Sequence, residues 1–148
     1  MLVEPGGVVW VDVLVPAGDP LWQPDVGRAF AWLGRAWATA LAAVGLAGAE
    51  VYDGPLRQTE WSRAVCFAGL GPGEVTVDGA KVVGLCQRRT RAGAMFQCAA
   101  LLRWDPGRLV DLLDLPPGAA ADLARVARAV DVDAEVVVAA VLAAVTCA

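Results

Sequence analysis

The sequence predicts an α+β domain in which a mixed, mostly antiparallel sheet carries helices on one face. Two observations support this prediction. Short segments with alternating apolar residues are separated by turn residues, which is typical of antiparallel strands. Segments with apolar residues at steps of three and four flank them, which is typical of helices packed on a sheet. With 148 residues, 57% of them hydrophobic and 19% charged, the chain is a single domain and not a disordered one.

The first half of the chain is predicted to contain a strand, a loop, a helix and a short strand. These elements lie at residues 7–15, 16–24, 25–44 and 49–52. In the first strand, four valines starting at Val9 alternate with Trp10, Asp12 and Leu14, so the valines share one face. In the helix, apolar residues from Val26 to Val44 recur at helical spacing and form one stripe.

The second half is predicted to contain four more strands and three helices. The strands lie at residues 64–67, 74–77, 81–88 and 94–104. The helices lie at residues 105–113, 119–130 and 134–147. Asp78-Gly79 is a strong hairpin signal between two of the strands, because Gly and Asp tolerate positive φ. Asp131 or Asp133 is a suitable N-cap for the last helix.

Composition excludes several classes of function. The net charge of −4 argues against a nucleic-acid partner, since coating a phosphate backbone needs a basic face. The chain has no His, which excludes imidazole metal sites and catalytic triads. Its uncharged stretches are shorter than the about 20 residues that span a membrane, and no signal peptide is visible. We therefore expect a cytoplasmic protein with reduced thiols and no membrane partner.

The only lysine, Lys81, lies just past the predicted hairpin turn. A lysine at the base of a tight hairpin can hold its ammonium against a carboxylate or phosphate with little loss of freedom on binding. From periodicity alone, a solvated surface lysine is the simpler interpretation.

Residues 74–84 (EVTVDGAKVVG), followed by Gln87, resemble the catalytic hairpin of the lipoate–protein ligase and octanoyltransferase family, which is related to the biotin ligases. The family pattern is an acid, a few residues, then Asp/Glu-Gly-x-Lys-apolar-x-Gly. The resemblance extends over about residues 1–113 and is specific at the hairpin. It implies that residues 1–148 form a partial catalytic domain of the biotin/lipoate ligase type. It also implies that Lys81 is catalytic and contacts an acyl carbonyl or an acyl-adenylate phosphate.

The resemblance implies that a lipoyl or octanoyl group is attached to a lysine of an acceptor domain. In the leading route, the attachment passes through an acyl-adenylate with ATP and Mg²⁺. Glu74 would then help to hold the metal. Substrate and nucleotide would be bound by a wider set of residues: Gly73, Glu74, Gly79, Gly84, Gln87, Arg88 and Arg89. The expected partner is a lipoyl-acceptor domain or a glycine-cleavage H-type protein.

A second route depends on Cys66. In the octanoyltransferase branch an Ala-Cys-Phe motif precedes the lysine, and here Val65-Cys66-Phe67 precedes Lys81 by the same spacing. The resemblance implies that Cys66 would accept an octanoyl group from an acyl carrier protein as a thioester, with no ATP. A nearby cation would favour the reactive thiolate. A small, buried, structural cysteine is an equally good interpretation.

The family carries an Arg-Arg-x-[Ser/Thr]-Gly-Gly-Gly motif just before a segment like residues 2–6, and this chain begins at Met1. We therefore expect an N-terminally incomplete domain with an exposed first strand. The chain alone is expected to show no ATP-dependent lipoylation, and a non-catalytic remnant that binds an acyl group or a partner is a further alternative. Four other residues are predicted to belong to the core: Trp10, Cys86, Cys98 and Cys147.

Overall fold

The computed structural model describes residues 6–147, so residues 2–5 of the family-like segment lie outside it. The strands are β1 (Val8–Pro16), β2 (Ala49–Val51), β3 (Val75–Val77), β4 (Ala80–Thr90) and β5 (Gly93–Leu101). The helices are α1 (Ala31–Ala43), α2 (Pro106–Leu113), α3 (Ala119–Val126) and α4 (Ala134–Thr146). The described strands form one sheet in the order β1-β5-β4-β3-β2, with every pair antiparallel. This confirms the predicted α+β class.

One face of the sheet is covered by α1 and α4. Val9 and Val15 of β1 are buried there, and they lie opposite Ala100 and Ala94 of β5. Trp37 of α1 is fully buried in the same cluster. The predicted alternation of β1 is thus confirmed, because every second residue faces the helices.

The opposite face is covered only at one end. There α2 and α3 pack with a 3-10 turn, and Phe67, Leu101 and Ala127 are buried in a separate cluster. Helices therefore lie on both sides of the sheet, and the rest of this second face stays open. Trp10 points to this open side and is 42% exposed, so its prediction as a core residue is wrong. No helix among residues 6–147 is long and apolar enough to cross a membrane.

Two predicted elements differ from the observed ones. The first helix begins at Ala31 and not at residue 25, because the chain before it forms a short 3-10 turn at Arg28–Phe30, where the N–H of Arg28 donates to the Asp25 carboxylate. The strand predicted at residues 64–67 is wrong. The N–H of Val65 bonds back to the carbonyl of Trp61, so the chain coils locally and offers no ladder to a neighbouring strand.

The hairpin between β3 and β4 sets the geometry of the site. Asp78 and Gly79 both have positive φ, which confirms the predicted tight turn. The pairing shifts by one residue beyond it: Thr76 pairs with Lys81 while Val75 pairs with Val83, so Val82 is the extra residue of a β-bulge. Since Val82 and Val83 are both buried in the helix-side cluster, the bulge turns Lys81 to the open face of the sheet.

Candidate functional site

A cavity of about 430 Å³ lies on the open face of the sheet, between β4–β5 and the segment that precedes β3. Its volume falls in the range of small-molecule sites, about 300–1,000 Å³. Most of the wall is apolar, and a few polar groups converge on one end. The residues that matter for its chemistry are Trp10, Cys66, Phe67, Lys81, Gln97 and Ala99.

Among the described residues, Lys81 is one of two charged residues that line this cavity, with Glu74, and is only 5% exposed. Its Nζ lies 2.7 Å from Oε1 of Glu74 and donates hydrogen bonds to the carbonyls of Gly69 at 2.9 Å and Cys66 at 3.4 Å. The ammonium also lies 5.0 Å from the centre of the Phe67 ring, within the distance of a cation–π contact. A buried charge needs such partners, because burial strips it of water. Lys81 is therefore a held, oriented cation and not a solvated side chain.

Gly84 makes room for this lysine. A Cβ at Gly84 would lie 3.2 Å from Cε of Lys81 and 3.4 Å from Cζ of Phe67. Any larger residue would push the lysine or the ring aside. Gly84 therefore lines the cavity, and the absence of a side chain there leaves space for Lys81 and Phe67.

Glu74 is positioned by the backbone around it. Its Oε1 accepts the N–H of Leu85 at 3.1 Å, and its Oε2 accepts the N–H of Gly71 at 2.7 Å. The preceding Gly73 has a φ of +87°, and a Cβ there would lie 2.3 Å from Cβ of Phe30. Only glycine fits this close passage, so Gly73 directs Glu74 into the site without lining the cavity itself.

Glu74 does not fit the predicted magnesium site. Both carboxylate oxygens already accept hydrogen bonds or face the ammonium of Lys81. Magnesium prefers several oxygen ligands with near-octahedral geometry. Within residues 6–147, no cluster of three or more His, Cys, Asp or Glu side chains is arranged to hold a metal. The carboxylate is instead the counter-ion of Lys81.

Two exposed cysteines line the cavity. Cys66 lies in the 3-10 turn Cys66–Ala68, and its carbonyl accepts one of the hydrogen bonds of Lys81. Cys86 lies on β4 with its thiol 3.6 Å from Oε1 of Gln97, and partial burial raises the pKa of this thiol. Cys86 and Cys147 are exposed, so their prediction as core residues is wrong, whereas Cys98 is fully buried on the helix side.

Four other predicted binding residues lie away from the cavity. Gly79 is exposed at the hairpin turn, and Arg88 faces a separate groove beside Leu14. Arg89 lies on the other side of the sheet, where its guanidinium donates to the carbonyl of Pro24 and stacks on Trp22. Gln87 accepts a hydrogen bond from Arg89. The alternation of β4 explains this placement, because the odd-numbered residues beyond the bulge face the helices.

Several cavity residues were not predicted: Trp10, Phe67, Cys86 and Gln97. The alternation of β1 and β5 contains the signal for two of them. Trp10 of β1 lies opposite Ala99 of β5, and Gln97 lies on the same face of β5, two positions before Ala99. The location of Phe67 follows from a 3-10 turn that the sequence did not indicate.

Solved structures share this fold. One is protein Ta0514 from T. acidophilum, assigned as a lipoate protein ligase and bound to lipoic acid. The two structures align with a TM-score of 0.62 and 16% sequence identity, and the alignment covers 95% of this chain and 51% of Ta0514. Another is lipoate-protein ligase A bound with ATP, with a TM-score of 0.59, 15% identity, and coverage of 93% and 49%. This chain has the fold of lipoate–protein ligases and spans about half the length of these two proteins. No family model and no curated protein matches the sequence.

Proposed function

We propose that this domain holds an octanoyl or lipoyl group in the cavity around Lys81, hereafter the main cavity, and takes part in attaching that group to a lysine of an acceptor protein. One observation carries the proposal: Lys81 and Cys66 meet in one apolar cavity, in the fold of a protein bound to lipoic acid. The expected acceptor is a lipoyl domain or a glycine-cleavage H-type protein.

The cavity suits an acyl group with a polar head and an apolar tail. The tail would lie against apolar side chains such as Leu56 and Phe67, and the carbonyl would lie at Lys81. Of the three acceptors around the ammonium, the Cys66 carbonyl is the most distant at 3.4 Å. An incoming acyl oxygen would replace this weakest contact. The ammonium would then stabilise the negative charge that develops on that oxygen during transfer.

We further propose that Cys66 carries the acyl group. The Cys66 thiolate would attack the carbonyl of an acyl thioester on a carrier protein, and the carrier thiol would leave. The amine of the acceptor lysine would then attack the Cys66 thioester, form the amide and release the thiol. The charge of the cavity favours a route without a nucleotide. Lys81 is the only Lys or Arg among the described residues that lines the cavity, and it is already paired with Glu74, so no further cation is present there for a phosphate.

A second candidate is ligation with ATP and Mg²⁺, which is favoured by the similarity to a lipoate-protein ligase bound with ATP. The described residues fit a nucleotide less well. Phosphate sites use several cations or backbone N–H groups, and the predicted cations Arg88 and Arg89 lie elsewhere. We therefore assign no step of this route to residues of this chain.

The two candidates are separated by an acylation assay. The chain is incubated with octanoyl acyl carrier protein, and its intact mass is measured before and after hydroxylamine, which cleaves thioesters. We expect the gain of one octanoyl group, removed by hydroxylamine and absent in Cys66→Ser. Cys86→Ser is the matched control, because Cys86 is a second exposed thiol in the same cavity.

Other outcomes would decide against this route. Acylation of a lipoyl acceptor that requires ATP and survives Cys66→Ser would support ligation instead. Binding of octanoate without any transfer would support a non-catalytic acyl-binding domain. In each case Lys81→Ala should weaken the reaction or the binding, and an unchanged Lys81→Ala variant would contradict the assigned site.

A further inference from the structure

A second, smaller cavity of about 130 Å³ adjoins the main one. It lies between the open face of the sheet and α2. The two cavities share Cys66, Phe67 and Ala99 in their walls. The rest of the wall includes Trp104 and, from α2, Leu109 and Leu113.

The walls of the second cavity are mostly apolar. Among the described side chains that line it, only those of Cys66 and Trp104 carry a polar group, and the indole N–H of Trp104 already donates to the carbonyl of Leu123 at 3.0 Å. An apolar cavity of about 150 Å³ stays dry and takes a benzene-sized ligand. The second cavity is mostly apolar and thus suits a few carbon atoms.

Phe67 connects the charged end of the main cavity to the second one. Its ring centre lies 5.0 Å from Nζ of Lys81 and 6.2 Å from the centre of the Trp104 ring, and Phe67 lines both cavities. Because the two cavities share this wall, a linear ligand with its carbonyl at Lys81 can continue past Phe67 toward Trp104 and α2.

We propose that the second cavity seats the far end of the acyl chain, and that Leu109 and Leu113 set the chain length the protein accepts. This inference rests on the proposed function, because it assumes an acyl carbonyl at Lys81. The substrate class is a straight medium-length acyl chain, and α2 forms the end wall of its site.

The test measures how affinity changes with chain length. Pantetheine amides of butanoate, hexanoate, octanoate and decanoate bind without transferring their acyl group, and calorimetry gives each affinity for the full chain. Each methylene that is seated in an apolar cavity tightens binding about fourfold, so one two-carbon step within the cavity should give roughly 15-fold. We expect this gain up to octanoyl and little beyond it.

Variants of α2 should move this limit. Leu113→Trp fills the second cavity, and it should remove the gain from hexanoyl to octanoyl while hexanoyl binding stays unchanged. Leu113→Ala enlarges the cavity and should extend the gain to decanoyl, which keeps the test valid if the larger residue disturbs folding. Leu112→Trp is the control, because Leu112 is an exposed residue of the same helix that does not line this cavity.

The outcomes separate the two proposals. If Leu113→Trp weakens all chain lengths equally, or leaves the octanoyl gain intact, the inference is wrong although acyl binding stands. If no chain binds and Lys81→Ala changes nothing, the proposed function is wrong as well.

Discussion

The ion pair between Glu74 and Lys81 should hold the site together, and Glu74→Gln tests this directly. The two side chains are 9% and 6% exposed, and their charged atoms lie 2.7 Å apart. Without the carboxylate charge, the ammonium keeps only uncharged partners, which are the carbonyls of Gly69 and Cys66 and the Phe67 ring. The new amide N–H₂ would also have to face a backbone N–H or turn the carboxamide away from Lys81. The variant leaves a buried charge without its counter-ion.

The expected loss of stability is large. Removing one partner of a buried ion pair costs about 3–5 kcal/mol. Domains of this size unfold with about 5–15 kcal/mol in total, so the loss is a substantial fraction of that. At the lower end it corresponds to a fall in Tm of roughly 6–12 °C. The loss should persist at high salt, since ions screen a buried pair poorly.

A double-mutant cycle measured by urea unfolding provides the test. Lys81→Met should also destabilise the protein, and the double variant should lose about 2 kcal/mol less than the sum of the two single losses, because neither charge is then left alone. The control is Asp78→Asn, which breaks the exposed pair with Arg128 at 3.0 Å on the same hairpin. That change should cost less than about 1 kcal/mol. Additive losses at Glu74 and Lys81 would refute the coupling that we infer from the geometry.

Three further predictions follow from particular environments. Burial raises the pKa of Cys98 to about 12, so the contribution of this thiol to stability is complete below pH 9.0 and is lost as the pH rises toward 12. In the native protein, iodoacetamide should label Cys86 at a rate that keeps rising above pH 9.0, because the pKa of that thiol is also raised. Iodoacetamide should spare the buried Cys98, and peptide mass spectrometry can measure both labels. Gly73→Ala should lower Tm far more than Gly79→Ala, because both have positive φ but only Gly73 is crowded by Phe30; equal losses would contradict this. Leu14 is 74% exposed on the edge strand β1, so Leu14→Lys should reduce self-association, measured by light scattering over a concentration series. A wild-type chain that stays monomeric over that series would contradict association through this edge strand.

The sequence predicted the parts of this fold that depend on local chemistry. The turn at Asp78-Gly79 needs positive φ at both positions, and few residue pairs allow it. The alternation of β1 was predictable because one face of the strand is buried, and a stretch of seven or eight residues is enough to show it. The side chain of Asp133 accepts the N–H of Glu135 and caps α4, as the pattern indicated.

The candidate site was predictable only where a motif carried it. Lys81, Glu74 and Gly84 were named from the hairpin pattern, and they do lie in one cavity. The role of Glu74 was not predictable, because the choice between a metal ligand and a counter-ion depends on which groups surround its oxygens. The segment around Phe67 was predicted as a strand, although its backbone bonds close within the segment itself.

The sequence by itself therefore determined most strands of the sheet, the turn at Asp78-Gly79 and the presence of a single lysine at the base of a hairpin. Tertiary structure decided which way that lysine points. One extra residue, Val82, shifts the pairing of β4 against β3, and this turns Lys81 away from the helices and toward the open face. A one-residue shift reverses every side chain of a strand, since successive residues point to opposite faces. The shift is stable here because both valines of the bulge are buried under the helices, a condition that depends on residues far apart in the chain.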